Sequence, residues 1–400
     1  MLPEYRETFN RSFTPERYRR FLTRLTERCG TTVAFRNCET PCFFPEHLLQ
    51  QMADAGAEMS LQLTDDSGYL RAADRSIPEA FRAAHPIKRP LFIQADFGVV
   101  RTAEGVIEPR LVEIQGFPTL YAYQIELAET YAEVFELSAA LTPLLGGRTP
   151  GQYKQLVSTA ILGGYSPENV VLLEIDPWEQ KTLADFLLTE QMCGVPTVDV
   201  ADVRKQGRKL VYERKGRTIP IHRIYNRVII DELMRKHVPL KFDFRDDLDV
   251  EWAGHPDWFF RISKFSLPFL RHPFVPRSQF LSDVHELPAA PENLVLKPLF
   301  SFAGLGVKVG PTRQEIEAIP PARREEYLLQ ERVHFEPVIQ TPFGLTHAEI
   351  RIMYVWTGEK PEPVSTIVRM GRGKMMGVDH NRDLEWVGAT AGFIPARVLS

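Results

Sequence analysis

Charged side chains sit inside apolar, strand-like runs, and no other feature of the sequence restricts the fold more. PRLVEIQG (109–116) carries Glu113 and Gln115, VVLLEIDPWEQK (170–181) carries Glu174 and Asp176, and AEIRIMYVW (348–356) carries Glu349 and Arg351. Side chains two apart on a strand share a face. Each run therefore sets a pair of polar groups on one face of an otherwise apolar ribbon. Burying an unpaired charge costs several kcal/mol, so these groups need partners, either on neighbouring strands or in a ligand. Leu294-Val295-Leu296 raises the same demand, because it runs directly into Lys297, Pro298 and a loop bearing Gly304 and Gly306.

The remaining pattern predicts how these ribbons are arranged. Residues 1 to about 90 read as polar helices, with PERYRRFLTRLTERCG stopping at Gly30. LFIQADFGVV and PRLVEIQG form a strand pair about a turn at Ala103–Gly105, and a helix is predicted from Tyr121 to Leu141. From 168 to 240 strands and helices alternate. ENVVLLEI is a buried-type strand, KTLADFLLTEQMCG a helix with Leu183, Phe186 and Leu187 on one face, and PTVDV, KLVYER and IPIHRIYNR are single strands. That alternation predicts a small parallel sheet. After about 255 a helix precedes antiparallel strands at VLKP, GVKVG, YLLQERV, AEIRIMYVW and PVSTIVRMG. The fold class expected is α/β to α+β. Its three parts are 1–165 (helices and early strands), 166–240 (a small α/β substrate-binding domain) and 241–400.

Net charge is −4 from 48 basic and 52 acidic residues, so no overall basic field gathers nucleic acid. The charged start MLPEYRETFNRSF lacks the apolar segment of a signal peptide, and no run reaches the ~18 apolar residues of a membrane span. A cytoplasmic protein with no membrane or nucleic-acid partner is expected. Cys29, Cys38 and Cys42 lie close to His47, but their spacing fits no common zinc pattern and reads as reduced thiols. No P-loop, H-E-x-x-H or G-x-S-x-G is present. Gly304-x-Gly306 lacks the third glycine of a dinucleotide fingerprint and joins two strands.

Several short segments recur in an order of their own. Asp96 is followed by Glu113-Ile114-Gln115, then by Glu174-Ile-Asp176-Pro-Trp-Glu179-Gln180-Lys181 and Ile224-Tyr225-Asn226-Arg227. Next come Ser263-Lys264-Phe265-Ser266-Leu267-Pro268, Val295-Leu296-Lys297-Pro298 and Gln330-Glu331-Arg332-Val333, and finally Arg369 and Lys374. In this order the chain resembles the ATP-grasp enzymes. The likeness is to their circularly permuted branch of eukaryotic-type glutathione synthetases and glutathionylspermidine synthetases.

The resemblance implies an ATP-grasp fold and an ADP-forming carboxylate–amine ligase that uses ATP and Mg2+ on a small-molecule acid and amine, and it allows a homodimer. It implies that Lys264, Lys297 and Lys374 meet phosphates under the loop from Ser301 to Gly306, in which Ser301 and Gly304 contact the nucleotide, and that Gln330, Glu331 and Val333 meet adenine. Glu113 and Gln115 would take magnesium, and Arg351 and Arg369 the transferring phosphoryl group. Asp96, Glu174, Asp176, Gln180 and Arg227 would meet the acid or the amine. The chain departs from the pattern at Ser301, where a glutamate is usual, and at Gln94, Pro118 and Leu120, which replace an arginine and two serines. These departures argue against glutathione as product and leave a non-catalytic nucleotide-binding protein as the alternative.

Overall fold

The computed structural model describes residues 1–301, 304–373, 376 and 384–396. Its organising element is a six-stranded antiparallel sheet that draws strands from both halves of the chain. The order is Gly388–Thr390, Glu362–Gly371, Gly344–Val355, Phe92–Arg101 and Ile107–Gln115, with Ile339–Thr341 also pairing the long Gly344–Val355 strand. Period two decides its faces. Ile93, Ala95, Phe97, Ile350, Ile352 and Tyr354 point into a core shared with Leu49, Met52, Ala53 and Met59 of the helix Glu46–Asp65. The alternate residues carry the charges, on the opposite face.

The predicted small sheet is present and wholly parallel, in the order Glu251–Ala253, Arg223–Asn226, Val170–Glu174 and Thr197–Asp199. IPIHRIYNR, expected as one strand, divides at His222. Arg217–Ile221 pairs antiparallel with Lys209–Arg214, while Arg223–Asn226 joins the parallel sheet. A third sheet, ordered Ser278–Phe280, Tyr327–Glu331, Leu294–Pro298 and Lys308–Val309, is antiparallel, as the pattern after 255 predicts.

The helix Pro15–Cys29 starts on Thr14, whose side chain accepts from Arg17 N–H, and stops at Gly30 with φ 67°. Only glycine adopts that left-handed conformation without penalty. The helix predicted from Tyr121 to Leu141 ends earlier, at Val134. Glu136 turns to φ 53°, which frees Leu141–Thr142 to pair with Gly392–Pro395. In the helix Leu183–Cys193 the buried positions are Ala184, Asp185, Phe186, Leu188, Thr189 and Cys193, whereas Leu183 and Leu187 are half-buried. The inward face is rotated from the apolar stripe because Asp185 is drawn in: its carboxylate accepts from the N–H groups of Leu120, Ala122 and Tyr123. Those groups are the otherwise unpaired donors at the start of the helix Tyr121–Val134. Among the described residues no helix is long and apolar enough to cross a membrane.

Candidate functional site

Register assembles the site. Asp96 stands opposite both Glu113 and Arg351, Glu349 stands opposite Arg369, and Gln94 stands opposite Gln115. Directly paired residues project from the same face, so residues from four strands gather on one side of the central sheet.

Geometry then sorts them into ion pairs. Arg351 clamps Asp96 with two parallel donations, Nε to Oδ1 at 2.5 Å and a terminal nitrogen to Oδ2 at 2.6 Å. Arg369 donates to the same Asp96 oxygen at 2.5 Å and lies 2.6 Å from Glu349. Fork-to-carboxylate pairing of this kind is the strongest ion-pair geometry a protein builds. Gln94 accepts from Arg351 at 2.9 Å. Gln115, expected as a magnesium ligand, turns its amide toward Gln94 Oε1 at 2.7 Å; with oxygen and nitrogen exchanged, its oxygen accepts from Arg351 at 3.0 Å.

The two lysines arrive from elsewhere in the chain. Gly116 N–H bonds to the Ile262 carbonyl at 2.8 Å, and a Cβ at Gly116 would come within 2.8 Å of the Trp258 carbonyl. Only glycine permits that approach, and it seats the turn Lys264–Phe269 against the strand. This turn is a 3-10 helix with Ser263 capping Phe265 N–H. Lys264 Nζ donates to the Ser301 carbonyl at 2.6 Å and lies 3.5 Å from Glu113. Lys297 Nζ donates to the Val112 carbonyl at 2.8 Å. That carbonyl is within reach because the ladder slips between Asp96 and Phe97, leaving Val112 without a register partner. Beside Lys264 and Glu113 lies a cavity of about 20 Å³, roughly one water molecule. Its lining includes Glu113, Phe117, Phe259, Ile262, Lys264 and Ser301.

The cations outnumber the carboxylates: Lys264, Lys297, Arg351 and Arg369 face Asp96, Glu113 and Glu349. Burial would raise Asp96, but Arg351 and Arg369 outweigh it and hold its carboxyl below the ordinary value. Burial is outweighed at Glu113 as well, chiefly by Lys264. At Glu349 burial prevails over Arg369 and pushes the carboxyl up. Burial pulls Lys297 down to about 8, against the attraction of Glu113. Ser301 Oγ and Arg369 Nε are buried and have no hydrogen-bond partner among the described residues.

The remaining predicted residues lie apart from this cluster. Arg227 is buried and paired with Asp185 at 2.5 Å, its guanidinium 5.1 Å from the Phe186 ring centre. Glu174, also buried, accepts from Ile175 N–H at 2.8 Å, and burial pushes it up to about 8 against the pull of Arg227. Asp176 is exposed and bonds Lys236 at 3.0 Å, while Gln180 donates to the Ile175 carbonyl and to Glu232. Gln330 and Glu331 close the strand Tyr327–Glu331, an inner strand of the third sheet, Val333 follows just beyond it, and Gly304 has φ 76° in the loop after Ser301. Lys374 lies outside the described residues. Glu349, which the sequence sets on one strand face with Arg351, and Gln94 also belong to the cluster, although the resemblance implies no role for either. Their signal was the spacing of two from Arg351 and Asp96. Asp185 had a fainter one, a carboxylate within the apolar run of a helix.

A solved structure with this architecture is that of a glutathione synthetase-like effector from Globodera pallida in its apo form. The two align over 96% of this chain and 99% of that one, with a TM-score of 0.56 and 11% sequence identity. The chain thus has a glutathione synthetase-like fold. No family model matches it, and no curated protein does.

Proposed function

We propose that the chain is an ATP-dependent, ADP-forming carboxylate–amine ligase that joins a small acid to an amine. One observation carries the reading: Lys264, Lys297 and Glu113, remote along the chain, converge on one face with Arg351 and Arg369. A face with surplus cations, and with buried donors at Arg369 and Ser301 that have no partner among the described residues, suits a polyanion.

ATP would supply the phosphoryl group that converts the acid to an acyl phosphate, which the amine displaces to leave amide, ADP and phosphate. The protein's part in such chemistry is positioning and charge neutralisation. Lys264 and Lys297 would bind phosphates once they release the carbonyls of Ser301 and Val112, a change that also opens the narrow cavity. Arg351 and Arg369, held rigid by Asp96, would face the transferring phosphoryl group. Glu113 would hold the magnesium that accompanies the triphosphate, since one carboxylate together with phosphate oxygens is a common set for that ion. Gln115 fits this role poorly, its amide being occupied by Gln94 and Arg351. Glu174, Asp176 and Gln180 would meet the acid or amine at the C-terminal edge of the parallel sheet, where open sheets take ligands. Arg227 would be available only if it parted from Asp185.

Ser301 favours a second reading, a nucleotide-binding protein without turnover, because the glutamate usual at that position is missing. Release of ADP and phosphate from ATP with candidate acid–amine pairs separates the two. Binding itself is read by thermal denaturation with Mg-ATP, where ligand at 100 times its Kd adds about 2.7 kcal/mol. The Lys297→Met variant is expected to abolish that stabilisation. If it binds and turns over ATP as the parent does, the proposal fails.

A further inference from the structure

A cleft of about 490 Å³ opens beside the parallel sheet, a volume within the range of roughly 300–1,000 Å³ that small-molecule sites occupy. Its position is set by strand starts. His222 precedes the strand Arg223–Asn226, Glu251 begins the strand Glu251–Ala253, and Tyr165 lies shortly before Val170–Glu174. The cleft is therefore at the N-terminal end of the sheet, opposite the edge that carries Glu174 and Asp176. Leu248 and Val250 give it apolar surface. The Tyr165 and His222 rings stand 5.8 Å apart and tilted by 58°, which makes an aromatic corner. The Tyr165 hydroxyl donates to Glu251 at 2.9 Å and so fixes its ring.

His85, also in the lining, has φ 56°, a left-handed conformation that a side chain other than glycine adopts at a cost. Buried groups hold the backbone there. Asp257 accepts from Ala83 N–H at 3.1 Å. His255 Nδ1 accepts from Asp257 N–H at 3.3 Å, so its Nε2 carries the proton and donates to the Ala84 carbonyl at 3.3 Å. The charges around the cleft do not balance. Arg208 pairs with Asp247 and with Asp249 at 2.8 Å, and Arg223 pairs with Glu251 at 2.6 Å. Three carboxylates thus share two guanidinium groups, with His85 Nε2 at 2.6 Å from Asp247. The cleft is one fixed cation short.

We propose that this cleft binds a small organic ammonium ion. The ammonium would donate to the carboxylates of Asp249 and Glu251, which keep acceptor sites beyond those their arginines use. The faces of Tyr165 and His222 attract the same positive charge, and the alkyl part covers Leu248 and Val250. The site is separate from the charged face of the central sheet, so it stands without the nucleotide-binding reading.

Isothermal titration of the full-length protein with n-butylammonium, and with n-butanol as the uncharged isostere, tests the assignment. The amine is expected to bind about tenfold more tightly than the alcohol, the difference one charge-assisted contact makes. Glu251→Gln should remove that preference. His222→Leu should weaken amine binding severalfold by taking away one aromatic face. Both positions are exposed, so both variants should melt with the parent. Lys297→Met, altered on the other face, should bind the amine unchanged. Equal binding of amine and alcohol, no binding of either, or an unchanged preference in Glu251→Gln would overturn the assignment. Loss of amine binding in Lys297→Met would do the same, since it would move the amine to the charged face. So would tight binding of Zn2+ that His222→Leu abolishes and Glu251→Gln keeps, which would make the cleft an imidazole metal site.

Discussion

The charged face of the central sheet and the C-terminal edge of the parallel sheet both carry acids and arginines on strands, yet they use them differently. On the central sheet, Asp96, Glu113, Glu349, Arg351 and Arg369 are brought together by antiparallel register, and each touches others of the group. At the parallel edge the groups disperse. Arg227 goes into the core with Asp185, Glu174 is buried on a backbone amide, and Asp176 stands at the surface with Lys236. The contrast shows that strand-borne charges make a site when neighbouring strands hold them face to face. Charges at the ends of strands are taken up by whatever helix or loop follows.

Mutation can break this contrast at its strongest point. Asp96→Asn leaves two guanidinium groups facing a neutral amide, and removing one partner of a buried pair costs about 3–5 kcal/mol. Urea denaturation should show a loss of that order. A loss below about 1 kcal/mol would mean that the cluster is no more coupled than the parallel edge.

Lys297 sharpens the comparison through pH. Its folded pKa is about 8, against 10.5 for a free lysine. Below pH 8 both states hold the proton and the folded state bears the cost of burying it. Between pH 8 and 10.5 the folded state has released a proton that the unfolded state still binds, so stability rises with pH. The rise should reach up to about 3 kcal/mol and be absent in Lys297→Met, as urea midpoints from pH 7 to 10.5 would reveal.

Arg227→Met tests the parallel edge. It leaves the Asp185 carboxylate without its cation but still capping a helix, and should cost about 2–3 kcal/mol of stability without altering Mg-ATP affinity. If stability were kept while turnover fell, Arg227 would be a substrate residue after all. The smallest effect is expected at Asp176→Asn. The exposed pair with Lys236 is worth at most about 1 kcal/mol, and Lys236 keeps Glu232 at 2.8 Å.

Much of this molecule is legible one segment at a time. The helix Pro15–Cys29 with its glycine stop, the parallel sheet built on Val170–Glu174, and the antiparallel strands carrying Arg351 and Arg369 all follow from local pattern. The polar pairs at 113/115 and 349/351 were visible for the same reason. What stayed hidden depends on contacts between distant segments. His222 divides a strand because its two halves find different sheets. Val112 offers its carbonyl to Lys297 because of a slip in the ladder, and Asp185 turns inward because a helix from another part of the chain needs a cap.

By itself the sequence determined which side chains share a face, because alternation along a strand is a property of the strand alone. Only the tertiary structure decided which faces meet: Arg351 beside Asp96, Lys264 beside Glu113, Arg227 beside Asp185. Those choices depend on register and on the order of strands, and the energy that sets them is gained only when segments far apart in the chain come into contact.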